Sequence, residues 1–305
     1  MNEQMIISPE VKYWLVRPGI NGLCFDSFKR DSVIAIGWDR IGKIDENEAL
    51  MSIEKVKHLV SQQYSDLLEK KASQREYRRK VTDIASKIYR FTYELKKGDY
   101  VVCPGDNSVL IGTVCGDVRI VDGKYDSGNE IDDGYIGELN KVRDVKWIKE
   151  IDKSNLEPNI KLELRVIHGL SQINREQVIT EINRSIYNLY SYNNKTHSVF
   201  RIKNEKEIDF FKYANFIECV NNVYKKVNSE NEQLYIKTNI NSPGPIEFIG
   251  KTQRVVVTFT KIVDIVLNNK SIPEELQGEH WIEDMQEQYT GYNYDDYEFP
   301  SGGQA

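Results

Sequence analysis

The chain of 305 residues is poor in the signatures that usually betray an enzyme. Its four cysteines (Cys24, Cys103, Cys115 and Cys219) form no Cys-x-x-Cys pair, which argues against a disulfide framework and predicts buried thiols in a reducing compartment. The four histidines (His58, His168, His197 and His280) have no partner at metal-ligand spacing, so no metal is expected. No Gly-x-Gly-x-x-Gly, P-loop or Gly-x-Ser-x-Gly sequence occurs, so no nucleotide cofactor and no serine-hydrolase chemistry is expected. No run approaches the roughly 20 apolar residues of a membrane span. The opening "MNEQMIISPEVKYW" lacks the basic start and apolar run of a signal peptide. These absences predict a soluble, cytoplasmic protein without a membrane partner. There is no internal repeat.

What is present reads as globular, with 40% hydrophobic and 29% charged residues, in a chain long enough for one large domain or two ordinary ones. The formal charge of −6 hides an asymmetry. Residues 271–305 hold nine acids and no Lys or Arg; removing that −9 leaves +3 on the other 270 residues. Residues 68–97 hold ten Lys or Arg against four acids. A basic cluster of this kind suits a nucleic-acid partner, DNA or RNA, although a solvated helix face has the same composition.

Patterning orders the chain. "KYWLVRPG" (12–19) and "SVIAIGWD" (32–39) read as strands. Apolar residues at helical spacing predict helices over 47–70 and then through Val81, Ala85, Ile88 and Leu95 to a stop at Gly98. Arg75, Arg79, Ser86 and Arg90 lie off that second apolar stripe, toward water or a ligand. "DYVVCP" and "SVLIGTVCG" follow as a hairpin, "YIGEL" and "RDVKWIKEI" as strands, and 177–189 as a short amphipathic helix. The Asn-rich "YSYNNKTHS" (190–198) reads as a linker. Beyond it come a helix over 205–226, a strand "QLYIKTNI", a turn "NSPGP" and an apolar stretch "RVVVTFTKIVDIVLNN" that fits strand or helix.

The blocks "YWLVRPG", "VIAIGWD", "IYRFTYELKKGDYVVCPGDNSVLIGTVCGD" and "VRDVKWIKEI", in that order, resemble the N-terminal domain of some Mrr-type restriction endonucleases, a relative of the PUA and EVE domains. The resemblance covers roughly 12–189. It implies a small β-barrel that holds a flipped base, plain or modified, between aromatic and apolar walls. Carried over by position, it assigns Trp14 and Arg17 to the opening strand, Trp38 to the "IGW" block, Tyr89 and Arg90 to the helix block, and Pro104 and Gly105 to the hairpin. The nuclease that follows this domain in those enzymes uses an Asp and a Glu-x-Lys pair. Here Glu94-Leu95-Lys96 closes a helix and Glu163-Leu164-Arg165 has Arg in place of Lys, so no catalytic residue is carried over.

The expected fold class is α+β. A PUA/EVE-like barrel with packed helices spans 1–190, a linker 191–204, a small α/β coupling or oligomerisation unit 205–270, and a disordered acidic aromatic tail 271–305. The expected binding residues are Trp14, Arg17, Trp38, Arg75, Arg79, Ser86, Tyr89, Arg90, Pro104 and Gly105. The expected role is a non-catalytic sensor or accessory component of bacterial restriction or anti-phage defence, acting with an effector protein or as a homo-oligomer. The alternatives are a degenerate nuclease or a pure interaction module.

Overall fold

The computed structural model describes residues 4–42, 52–68, 73–126, 137–166, 168–202, 209–228, 232–238, 245–289, 294 and 297–300. The chain is α+β and divides into two units, Glu10–Ile182 and a second formed by Met1–Pro9 with Asn183–Ala305. In chain order the elements are β1 (Met5–Ile6), β2 (Tyr13–Val16), α1 (Phe25–Asp31), β3 (Val33–Ile36), α2 (Ile53–Gln63), α3 (Ser65–Leu68), α4 (Gln74–Tyr89), β4 (Tyr100–Pro104), β5 (Ser108–Val114), β6 (Arg119–Ile120), β7 (Lys141–Asp152), α5 (Pro158–Glu163), β8 (Leu170–Ile173) and α6 (Glu176–Ile186). They continue as β9 (Leu189–Tyr192), β10 (Lys195–Ile202), α7 (Phe210–Val227), β11 (Tyr235–Thr238), β12 (Pro245–Gly250), α8 (Gln253–Leu267), α9 (His280–Tyr289) and β13 (Tyr297–Glu298). No helix among the described residues is long and apolar enough to cross a membrane.

Seven strands of Glu10–Ile182 form a curled half-barrel in the order β3-β7-β5-β4-β2-β8, with β6 on β7. The curl follows from the twelve-residue β7, whose start pairs with β3 and whose end pairs with β5. The β5–β7 register shifts between Ile111 and Gly112, and such a bulge bends a strand and tightens its twist. Gly112 is required at the bend, because a Cβ there would lie 2.5 Å from the Lys146 carbonyl oxygen. The β2–β4 pair is parallel in an otherwise antiparallel sheet, with Tyr13 opposite Tyr100 and their rings stacked at 4.8 Å.

Helix α4 packs Val81, Ala85 and Ile88 into the core of this unit. Its start is fixed by a capping box in which Ser73 Oγ accepts from Glu76 N while the Glu76 carboxylate accepts from Ser73 N at 3.1 Å. Its end widens into a π-helical turn over Arg90–Glu94. Buried Arg143 donates from Nε to the Phe91 carbonyl (2.9 Å) and from Nη2 to that of Thr92 (2.8 Å), satisfying acceptors the wide turn leaves free.

The second unit carries a mixed sheet, β1-β9-β10-β12-β11 with β13 on β10. Helices α7, α8 and α9 contribute to an aromatic core in which Phe200 meets Phe216, Phe248 and Phe299 edge to face. The apolar stretch that fitted strand or helix is the helix α8.

Two expectations are corrected here. The proposed linker 191–204 contains β10, whose Thr196, His197 and Ser198 are buried. Its polar residues read as solvent-facing because their partners lie far along the chain: Thr260 Oγ1 donates to Ser198 Oγ at 2.7 Å. The acidic stretch expected to be disordered contains α9, and Ile282, Met285, Tyr289, Tyr294, Tyr297 and Phe299 are buried in the aromatic core. Glu274, Glu275, Glu279, Glu283, Asp284 and Glu287 are exposed, while the buried aromatics supply a wall of that core. Residues 290–293, 295–296 and 301–305 of that stretch, and the "NSPGP" turn before Pro245, lie outside the described residues.

Candidate nucleic-acid interface

The parallel pairing of β2 with β4 places the ends of both strands side by side, and β8 starts at the same edge, with Leu170 opposite Val16. Three loops therefore leave the sheet together: Arg17–Gly22, Pro104–Asp106 and the Gly169 approach to β8. With Gly37 and Trp38 at the end of β3 and Lys87 from α4, they line a cavity of about 540 Å³. That volume lies within the range of small-ligand sites, about 300–1,000 Å³.

Each loop is held from behind. Arg17 donates from Nη2 to the carbonyls of Leu164 (2.5 Å) and Val166 (2.8 Å), and its backbone N–H donates to the Gly169 carbonyl at 2.8 Å. The arginine thus serves as a latch between two cavity walls as well as a charge at the rim. Gly105 admits no side chain, because a Cβ would stand 2.7 Å from the Phe25 ring. Gly19 and Gly22, at φ 75° and 78°, take the left-handed turns that keep the backbone at the cavity surface.

Trp38 is 6% exposed and forms the aromatic wall. Its φ is 68°, a region seldom adopted by a bulky residue. Lys87 Nζ stands 5.6 Å from the centroid of its ring, within cation–π range, and 2.6 Å from Asp83 Oδ2.

A second concavity of about 910 Å³ runs along α4, facing His168, Leu170 and Ser171. Arg78, Arg79, Lys80, Lys87 and Arg90 supply its positive charge against Glu76 and Asp83. Lys87 and Leu170 line both concavities, so groove and cavity share an edge.

Of the residues singled out in the sequence, the structure brings Arg17, Trp38, Pro104 and Gly105 together around the cavity and Arg79, Ser86 and Arg90 along the groove. Ser86 Oγ is turned back to donate to the Thr82 carbonyl at 2.7 Å. Arg75 is exposed on the first turns of α4 and lies outside both linings. Tyr89 packs half-buried against the core, its ring 5.2 Å from that of Tyr93, and is not a wall of the cavity. Trp14 is fully buried and donates from Nε1 to Asp99 Oδ2 at 3.0 Å. Asp99 also accepts from the backbone N–H groups of Lys12 and Lys96. Trp14 is a core residue for that reason, and of the two tryptophans expected to bind, only Trp38 lines the cavity.

Sequence reasoning missed Lys87, Asp106, Lys153 and His168, which line one concavity or the other. Lys87 carried a readable signal, since it follows Asp83 by four residues and lies one turn before Arg90. Among the described residues no group of three His, Cys, Asp or Glu side chains is placed to hold a metal ion.

Residues 21–171 match the family profile of a domain of unknown function, DUF8426. The matched span takes in Trp38, α4, the Pro104–Asp106 loop and Leu170, and starts just after Arg17. No curated protein matches the chain.

Proposed function

We propose that Glu10–Ile182 is a nucleic-acid reader of the PUA/EVE kind, holding one extruded base in the cavity while the phosphodiester backbone follows the groove along α4. The observation that supports this most is the shared edge: a cavity of small-ligand size with a tryptophan wall opens beside a groove bearing five guanidinium or amino groups. Base extrusion costs a few kcal/mol. Stacking on an aromatic returns roughly 1–3 kcal/mol, so phosphate contacts of the kind the groove offers are needed to make binding favourable. The groove charges supply a term that is independent of base identity and sensitive to salt, and the cavity supplies discrimination.

In this reading the protein is a non-catalytic sensor in bacterial restriction or anti-phage defence, and the second unit couples base capture to an effector protein or to another copy of the chain. The test is a binding screen of the full chain against plain and base-modified DNA and RNA oligonucleotides at fixed salt. One class of base is expected to bind more tightly, and W38A is expected to abolish that preference. Equal binding of every oligonucleotide by the wild type, or metal-dependent cleavage of any of them, overturns the reading.

A further inference from the structure

The left-handed backbone of Trp38 is held by a buried lysine. Lys141, 1% exposed at the start of β7, donates from Nζ to the carbonyls of Ile41 (2.7 Å), Trp38 (2.9 Å) and Gly37 (3.4 Å), and to Asn140 Oδ1 (3.1 Å). Three of these acceptors belong to the short turn that carries the aromatic wall. The turn is closed on itself by Ile41 N donating to the Trp38 carbonyl at 3.1 Å. Asn140 adds a weaker tie, from Nδ2 to the Asp39 carbonyl at 3.4 Å. An ammonium has three hydrogens and no lone pair, so this ring of oxygens suits the charged form and leaves no donor spare.

We propose that Lys141 is a positioning residue of the cavity: its ammonium fixes the 37–41 turn and with it the Trp38 ring, so that base capture depends on the charge of a lysine no ligand touches. The consequence for a base rests on the function proposed above, whereas the tie between Lys141 and Trp38 does not.

The surroundings make that charge adjustable. Burial pushes the amine down to about 8, against the opposing pull of Asp39 and Asp122. The other charged and titratable groups around the turn and its ring are Arg40, whose backbone N–H donates to Tyr64 Oη at 3.0 Å; Tyr64, whose phenol burial pushes far upward; and Lys87 over the indole. On losing its proton the amine keeps two hydrogens for four acceptors, and the turn loosens.

The full chain labelled with 5-fluorotryptophan gives a direct readout by fluorine NMR. Trp14, Trp38, Trp147 and Trp281 supply four signals, and the Trp38 signal is the one lost in W38F. In the wild type that signal is expected to shift with a midpoint near pH 8 while the other three stay in place. K141M should abolish the shift, and K87M should retain it. A Trp38 signal that stays flat from pH 7 to 10, or a titration that disappears in K87M, overturns the proposal. The wild-type and K87M titrations decide the matter even where K141M fails to fold. A second arm measures binding of a single-stranded oligonucleotide containing 2-aminopurine. K141M should weaken it tenfold or more at pH 7 without altering the salt slope. An intact NMR titration with no oligonucleotide binding by the wild type separates the two claims: it keeps the positioning role and removes the base.

Discussion

Among the described residues the two most deeply buried charged side chains, Lys141 in one unit and Glu247 in the other, are held by opposite means. In the first, Lys141 is surrounded by backbone carbonyls and an asparagine oxygen, all neutral. In the second, Glu247, with no exposed surface, faces Arg184 Nη1 (3.1 Å), His197 Nδ1 (2.8 Å) and Tyr190 Oη (2.8 Å). Dipoles do not fully replace water around an ion, so burial prevails at Lys141 and its amine falls to about 8. At Glu247 burial works the same way, raising the pKa. There, however, the hydrogen bond and charge of His197, the charge of Arg184 and the Tyr190 hydroxyl outweigh it and hold the carboxyl below its ordinary range. A buried ion with neutral partners is poised to change state. One with ionic partners is locked.

The largest effect that sharpens this contrast is expected from E247A. Removing the carboxylate leaves Arg184 buried without its counter-charge and His197 Nδ1 without its partner, and breaking such a buried pair costs about 3–5 kcal/mol. Urea unfolding of the full chain measures it, and a loss under about 1 kcal/mol would place the cluster among ion pairs of little consequence.

A second comparison, between the two tryptophans of the half-barrel, comes next. W38A should weaken oligonucleotide binding by a stacking-sized 1–3 kcal/mol, roughly five- to 150-fold. W14F should instead lower stability by about 1–2 kcal/mol, through the lost bond to Asp99, and leave affinity unchanged. If W14F weakens binding while stability holds, core and cavity have been assigned the wrong way round.

The pH dependence of stability should carry both ions with opposite windows. The unfolded chain keeps the ordinary lysine pKa of 10.5 and binds the extra proton between about pH 8 and 10.5. The contribution of Lys141 should therefore rise with pH through that window. It is opposed above about pH 9 by the buried thiols of Cys24, Cys103 and Cys219, whose pKa burial raises, and the difference between wild type and K141M isolates it. The contribution of Glu247 is present above its ordinary value of 4.5 and is lost as pH falls through the lower folded value. E247Q should flatten that acid limb alone. Urea midpoints measured from pH 2 to 11 report both.

The smallest effect separates two arginines four residues apart on one helix. Each phosphate contact contributes about 0.7–0.9 to the slope of log affinity against log salt. R79A, in the groove, should reduce the slope by that amount, and R75A, outside it, should leave the slope alone. Equal slopes in both variants would mean that α4 acts through its overall charge.

The part of this structure that could be read in the sequence is the part set by neighbours along the chain. The apolar stripe of α4, its stop near Gly98, the β4–β5 hairpin and the end of β2 at Pro18 were legible because period and punctuation are local. Strand β10 was hidden, since "NNKTHS" is polar and only becomes a buried strand through Glu247 and Thr260, some 50–60 residues away. The aromatic, acid-rich end was misread because composition reports charge but not which face it occupies. Of the residues that line the two concavities, Arg17, Trp38, Pro104, Gly105, Arg79 and Arg90 were legible through blocks of resemblance and a helical face. The assignment of Trp14 failed on one hydrogen bond, to Asp99, and that of Tyr89 on which side of α4 it packs. Lys141 gave no signal at all, being one lysine in "NKVRDVK" until the turn folds over it.

The Arg17 latch also bears on how the chain reaches its final form. It joins residues 149 positions apart, and closing a loop of that length costs about 4 kcal/mol in chain entropy before any contact is gained. The parallel partners β2 and β4 are likewise separated by α1, β3, α2, α3 and α4. Pairings so distant in sequence form slowly. During synthesis neither pairing of β2 can form before β4 and then β8 have emerged. The wall of the cavity at Leu164, Gly169 and Leu170 is thus supplied last in chain order. A chain stopped before β8 would carry the basic helix beside a cavity with that wall missing.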